Sequence, residues 1–394
     1  MDEESPMIQN PLLIILVLVV IEAFIIFVSE RRIYKKYFSF FPAVFWIYFL
    51  PMLCSSLGLL HNKSPVYSAI TNYFLPASLI LLLMCVDIKA IMHLGRTALG
   101  MFLIGSLGIM TGTVLVFAVL KRIVGPQFWG GFGALAGSWT GGSANMIAVK
   151  EALSVPSDVF FPMVVVDTVV PYVWMAFLIL MVGWQKLFDP WNHARMDLLT
   201  EFNKKVHFTL VKSFNGWQIK QVFLILVIAA AGSVLSGLLA QCLPEMPGII
   251  STYTWTIILV SFLGIGLSLT RCRNLEHDGA SRMGAGILYF VLTSIGAKAS
   301  LTNLGSTCVL IFAGFCIVFV HAVFMLVGAR LLRAPLYLAA IASQANIGGV
   351  ASAPMVAACY QPSLAPVGLL LAVLGNILGT YCGIITGQLC HWIR

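Results

Sequence analysis

Gly137-Ser138-Trp139-Thr140-Gly141-Gly142-Ser143-Ala144-Asn145-Met146 is the stretch on which the fold turns. Three glycines and four small polar side chains fall within ten residues of an otherwise apolar segment. A second stretch, Ser343-Gln344-Ala345-Asn346-Ile347-Gly348-Gly349-Val350-Ala351-Ser352-Ala353-Pro354, has the same chemistry. It adds a proline, which cannot donate a backbone hydrogen bond and so helps break a helix. Whether these stretches cross a bilayer or enter and return decides how the rest of the chain is arranged.

The surroundings of both stretches are apolar. Of 394 residues, 60% are hydrophobic and 10% charged, against about 25% charged in a soluble domain. Ten apolar runs, near 12–29, 42–60, 67–86, 98–120, 159–183, 219–242, 249–270, 283–299, 307–331 and 364–388, are long enough to span about 30 Å of hydrocarbon as helices. Strand-type alternation is absent, which argues against a membrane barrel. The net charge of +8 resides in short segments between the runs, the pattern of loops facing anionic lipid and cytoplasm rather than nucleic acid. Nine scattered cysteines form no CxxC pair, so neither a disulfide framework nor a metal site is expected. The first run follows Asp2, Glu3 and Glu4 and precedes Arg31, Arg32, Lys35 and Lys36. That polarity is the reverse of a signal peptide's, and the run reads as a retained helix with its N-terminus outside.

The polar stretch 184–217 divides the chain into a first part, 1–183, and a second part, 218–394, each with five long runs and one interrupted segment. A shift of about 209 residues superposes the runs in order. It brings Leu94-Gly95 onto Leu304-Gly305, Gly141-Gly142 near Gly348-Gly349, Pro156-Ser157 near Pro362-Ser363, and Tyr172 onto Tyr381. Internal repeats of this kind are common in secondary transporters. Loop charge then fixes their sense. If the interrupted segments cross fully, Arg31–Lys36 and Lys186–Lys212 fall on opposite faces, against the positive-inside rule. If each enters and returns, those loops share the cytoplasmic face with Lys89–Arg96, Arg271–Arg282 and Arg330–Arg333. Five crossings per half then make the second half inverted, and the two Gly-Gly tips approach the midplane from opposite sides. The expected fold is all-α and integral to the membrane: two inverted repeats of five transmembrane helices plus one interrupted segment.

Broken backbone at membrane depth is tolerated only where protein buries it or a cavity needs it. Its freed amides at helix N-termini suit an anionic group. Close helix packing also selects Gly, Ala and Ser, but requires neither Asn145 nor a Thr-Gly-Gly break. The candidate substrate-binding residues are therefore Ser138, Thr140, Gly141, Gly142, Ser143 and Asn145 from the first stretch, and Gln344, Asn346, Gly348, Gly349 and Ser352 from the second. Asp167, in the middle of an apolar run, is a functional-site candidate by its cost alone. Pro171 frees its carbonyl, and carboxylate, carbonyl and hydroxyl oxygens suit Na⁺, while a protonatable Asp suits H⁺. Asp167 and Thr168, with Asn376 and Thr380 in the second half, are the candidate coupling-ion residues; no other metal is expected. Glu22 and His321 read as helix contacts, Asp87, Lys89 and Lys298 as snorkelling helix ends, and Lys150-Glu151 as a surface pair closing a hairpin leg. There is no HExxH, Walker loop or GxSxG, so neither an enzyme nor an ATP-driven pump is indicated, and no cofactor is expected.

With its two motifs, Gly137–Asn145 and Asn346-Ile347-Gly348-Gly349, the chain resembles over nearly its whole length the YjcL-like membrane family of unknown function, numbered 819. That family is grouped with the cation–proton antiporter and anion transporter superfamily, whose members include glutamate–sodium and citrate–sodium symporters. The resemblance implies re-entrant tips that form a substrate site, and a transport domain that moves like an elevator against a dimeric scaffold. The second half has no obvious arginine at membrane depth to pair with a di- or tricarboxylate, which argues against citrate-like substrates. The expectation is a multi-pass, inner-membrane, homodimeric secondary transporter of a small polar solute, such as an organic anion, amino acid or short peptide derivative, with the 184–217 loop cytoplasmic. A cation–proton antiporter is the alternative; a channel or membrane enzyme fits less well.

Overall fold

The computed structural model describes residues 7–31, 33–34, 37–38, 43–92, 94–194, 218–245, 251–298, 307–361 and 364–394. Among these residues the only β contact is a bridge between Ile8 and Leu60. All ten predicted runs are helical: α1 (Pro11–Glu30), α2 (Ala43–Ser56), α3 (Pro65–Met84), α4 (Gly95–Val124), α7 (Ser157–Leu180), α9 (Ile219–Gln241), α10 (Thr252–Ser268), α11 (Ala280–Lys298), α12 (Thr307–Leu332) and α15 (Ala365–Ile393). The interrupted stretches give α5 (Trp129–Gly141) with α6 (Ser143–Ala152), and α13 (Leu336–Ile347) with α14 (Gly349–Tyr360).

Local chemistry sets several ends. Asn10 accepts a bond from the Leu12 amide, and Pro11 occupies the first turn of α1, where its missing N–H costs nothing. Ser251 and Thr254 form a capping box at the start of α10. Among the described residues, eight helices are long and apolar enough to cross a membrane. The other two runs give shorter helices. α2 has 14 residues with Pro51 inside. α10 has 17, after which the chain bends by 91° into the polar turn Arg271–Asp278, where Thr270 caps the Cys272 amide.

Both interrupted stretches fold back on themselves. Gly142 has φ 84° and ψ 179°, a conformation essentially closed to side chains. A Cβ on Gly137 would meet Val149, and one on Gly130 would meet Val155. Those pairs flank Gly142 evenly, so α5 and α6 run antiparallel. At the second turn Gln344 Nε2 donates to Ser352 Oγ at 2.8 Å, and Ala340 and Val356 share an apolar cluster. Pro354, expected to help the break, lies inside α14, while the break is at Gly348-Gly349. Every residue of α13 is buried, as is every residue of α5 after Trp129. That is why these two helices carry small side chains and no charges: neither has a face toward lipid or water.

The helices sort into two groups by their contacts. α1, α2, α3, α9, α10 and α11 pack mainly among themselves, and α4, α7, α12 and α15 pack with the two hairpins. Contacts recur in exchanged pairs. α2 lies on α11 as α10 lies on α3; α1 on α11 as α9 on α3; α7 on α12 as α15 on α4. α1 and α9 present Leu16, Val20, Phe24, Phe223, Val227 and Leu238 to the outside. A soluble monomer avoids apolar patches of that extent; a bilayer provides the matching solvent, and the chain is a multi-pass membrane protein.

The tightest joint is between α5 and α15. Gly133, Gly137 and Gly141 face Gly375, Gly379, Gly383 and Gly387, so that backbone meets backbone. A Cβ on Gly379 would stand 2.7 Å from the Gly141 Cα and 2.8 Å from the Gly137 carbonyl oxygen. Neither atom can rotate away. Gly379→Val should therefore destabilise the folded protein by about 1–3 kcal/mol or more, read as a lower melting temperature of detergent-purified protein. Gly237→Ala, on α9 with nothing within 4 Å, should leave the melting temperature unchanged or slightly raised.

Candidate functional site

A cavity of about 420 Å³ lies where the two hairpin tips meet α7, α15 and the wall made by α2, α3 and α11. That size falls within the range of small-molecule sites. From the first tip it takes Ser138, Gly141, Gly142, Ser143 and Asn145; from the second, Gln344, Gly348, Gly349 and Ser352. α7 contributes Asp167, Thr168 and Tyr172, and α15 contributes Asn376. Twelve of the fifteen residues singled out from the sequence thus line one space.

The other three stand behind its wall. Thr140 is fully buried against α15, where its carbonyl oxygen would be 2.1 Å from a Cβ on Gly375. Asn346 is fully buried in a root network. It accepts from Ser106 Oγ at 2.7 Å and donates to the Phe102 carbonyl at 3.1 Å and the Ala342 carbonyl at 3.0 Å. Thr380 donates to Asn145 Oδ1 at 2.5 Å, and Asn145 Nδ2 donates to the Gly141 carbonyl at 2.6 Å. All three were expected on the site; Asn346 and Thr380 instead pin the tips from behind, as a buried polar group finds its partner inside the protein, whereas the Thr140 hydroxyl has no hydrogen-bond partner among the described residues.

Each tip also ends a helix in the right sense. α6 starts at Ser143 and α14 at Gly349, so their first amides have no carbonyl four residues back inside the helix and open beside the cavity. Asp167 is half-buried on α7, with Ser138 and Trp139 against its carboxyl. Thr168 spends its hydroxyl hydrogen on the Val164 carbonyl at 2.8 Å and keeps its lone pairs. Asn376 Oδ1 stands 3.9 Å from where a Cβ on Gly142 would be.

The second hairpin is braced by His321. Its Nδ1 faces the Gly105 carbonyl at 2.9 Å and its Nε2 faces Ser343 Oγ at 2.9 Å, and that hydroxyl also accepts from the Trp174 indole at 2.9 Å. A neutral imidazole protonated at Nδ1 satisfies every bond in the chain, and His321 is a satisfied buried histidine. At the base of α13, Asp189 Oδ1 accepts from the Leu336 amide at 2.8 Å, and Asn192 Nδ2 donates to the Ala329 and Ala334 carbonyls at 3.0 and 2.7 Å. Asp189 and Asn192 belong to α8 (Gln185–Asn192), so the polar stretch expected as a linker begins as a docked helix; 195–217 lies outside the described residues.

Among the remaining charges, Asp87 pairs with Arg273 at 2.7 Å, a partner that a snorkelling end does not need. Lys298 Nζ donates to Ser68 Oγ at 3.2 Å. Lys150 bonds Glu151 but is only 4% exposed, with the Phe160 ring 5.7 Å away. Lys150 is buried and Glu151 half-buried, not the surface pair expected, because Phe160 of α7 and the start of α10 cover the base of α6. Glu22 is half-buried on α1, and the side chain of Lys89 lies outside the described residues.

No sequence motif marks the wall opposite the tips. Phe45, Leu79, Leu82, Leu83, Leu288 and Leu292 are its main side chains, with Tyr289 as its hydroxyl-bearing member. The signal available was the repeat itself: Leu79 and Leu288, and Leu83 and Leu292, are each 209 positions apart, as are Asp167 and Asn376.

A family described as Protein of unknown function (DUF819) matches residues 16–392. The uncharacterized membrane protein YjcL of Bacillus subtilis (strain 168) is 26% identical over 357 residues, which cover 86% of this chain and 87% of the relative.

Asn346 and Gln344 are two residues apart and should behave differently. Asn346→Asp replaces a donor to two carbonyls with an acceptor. It should destabilise the protein by about 2–4 kcal/mol, seen as a lower melting temperature, while Gln344→Ala changes stability by less than half that amount.

Proposed function

The chain belongs to the DUF819 family of proteins of unknown function, and from its site we propose that it is an ion-coupled secondary transporter of a small polar solute. The observation that carries this reading is the division of the cavity's polarity. Every polar lining side chain except that of Tyr289 comes from α5, α6, α7, α13, α14 and α15, whereas α2, α3 and α11 offer a wall of Phe, Leu and Ala. A solute would be held by one group of helices and only touched by the other. That is the arrangement a carrier needs if the binding group moves as a body past a fixed one, in an elevator-like cycle. The exchanged contact pairs and the opposed hairpins support two inverted repeats, with α1–α3 and α9–α11 as scaffold and α4–α7 and α12–α15 as the moving part.

In this reading the tip residues Ser138, Gly141, Gly142, Ser143, Asn145, Gln344, Gly348, Gly349 and Ser352 hold the solute. Asp167, Thr168 and Asn376 hold the coupling ion, Na⁺ or H⁺. Thr140, Asn346 and Thr380 keep the tips in shape. The protein has no catalytic role, works in the inner membrane as a homodimer, and keeps its N-terminus outside and the 184–217 loop in the cytoplasm, as loop charge favours.

Gradient-driven uptake into proteoliposomes, saturable in solute, is the expected result. Asp167→Asn, expressed at normal levels, should abolish it, at least about 100-fold; full uptake by that variant removes Asp167 from the coupling role. Na⁺/H⁺ exchange in the absence of any solute would move the assignment to a cation–proton antiporter, and conductance without saturation to a channel.

A further inference from the structure

We infer that the solute is a small zwitterion, an amino acid or short peptide derivative, bound with its ammonium on Asp167 and Gln344 and its carboxylate on the amides that begin α6 and α14. This rests on the carrier reading above and names its substrate class.

The argument begins with charge. Among the described residues that line the cavity there is no Lys, Arg or His, and one acid, Asp167. A di- or tricarboxylate would bring two or three negative charges to a site whose only formal charge is also negative. Burying such a ligand without a counter-cation costs several kcal/mol. The partial positive ends of two helices suit one carboxylate and fall short of three. The balance is met by a ligand that brings its own positive group for Asp167.

A second observation independently calls for a donor. Gln344 is fully buried, and its Nε2 donates to Ser352 Oγ, but its Oε1 has no partner within the protein. An orphaned buried carbonyl carries an unrecovered desolvation cost, and Gln344 lines this same cavity. An ammonium has three hydrogens and no lone pair, so it can serve the Asp167 carboxylate and the Gln344 oxygen together. The carboxylate of the same molecule then has the amides of Ser143 and Ala144 at one tip and of Gly349 and Val350 at the other, all beside the cavity. Any side chain of the solute faces Phe45, Leu79, Leu83, Leu288 and Leu292, which favours an apolar one. The ammonium and the coupling cation are alternatives at one carboxylate.

The test is equilibrium binding to the full chain, separate from transport. Purified protein is screened by thermal shift against the L-amino acids, their dipeptides with alanine, succinate and citrate, in Na⁺ and in choline; each hit is repeated as its N-acetyl derivative. A ligand that binds only the folded state raises the melting temperature. At least one zwitterion should bind, its N-acetyl derivative about tenfold or more weakly, and Gln344→Ala should weaken the zwitterion by a similar factor while staying folded, with a melting temperature above that of Asn346→Asp. Binding of succinate or citrate with no zwitterion bound overturns the assignment, as does equal binding of the N-acetyl form, binding tightened by Na⁺, or a panel in which no zwitterion binds. None of these outcomes bears on whether proteoliposomes show gradient-driven, saturable flux, so the substrate class can fail while the carrier reading stands.

Discussion

The joint between α5 and α15 is the constraint from which the rest of the site follows. Seven glycines let two backbones approach to within van der Waals contact along about two turns of α5 and three of α15. Hydrophobic burial offers little selectivity between helices in a bilayer, where lipid tails are as apolar as leucine, so close packing and buried hydrogen bonds have to do the selecting. Here they act in concert. The seam sets α15 at the back of the first tip, and only at that spacing can Thr380 reach Asn145 and Asn145 reach the Gly141 carbonyl. The left-handed turn at Gly142 is then held open toward the cavity from behind. Asn376, one turn along α15 from Thr380, is carried to the rim by the same seam.

The second tip is held by a different device. It has no glycine seam, and its root hangs on two polar networks, Ser106–Asn346–Phe102 and Gly105–His321–Ser343–Trp174. Polar networks in a low-dielectric interior are firm when every member is satisfied, and these are. The one orphan among the second tip's cavity-lining side chains, Gln344 Oε1, is therefore conspicuous against a background of completed bonds. Strength behind the tips and an open valence in front of them is the division that a binding site requires.

Much of this was legible in the sequence, for a physical reason. A bilayer allows only helices that satisfy their own backbone, so apolar runs translate almost directly into elements, and a break in one has to serve a purpose. All ten runs, both breaks and the cost of Asp167 could be read that way. Composition cannot say which way a small polar residue points. Thr140 and Asn346 share chemistry with Ser138 and Gln344, yet a step of two residues about the helix axis, about 100° each, turns them away from the cavity; Thr380 shares a face with Asn376 but lies one turn along α15, where it meets Asn145 instead. Lys150 reads as a surface residue because charge in a membrane protein usually is; the cover over it comes from Phe160 on the next helix and from α10, distant in sequence. Pro354 was weighed as a breaker, but two adjacent glycines break the helix before the proline is reached.

The wall of α3 and α11 has one more consequence. Its leucines come in mates from the two halves, and it offers hydrogen bonds only at Tyr289. In the proposed carrier cycle, a binding group travelling along such a wall has almost no bonds to exchange on the way, so the path between its end states should be smooth, with few resting places. Populations would then be governed at the ends, by how well the closed loops and the occupied or empty site fit each side, and a single polar side chain grafted onto the wall would act as a brake.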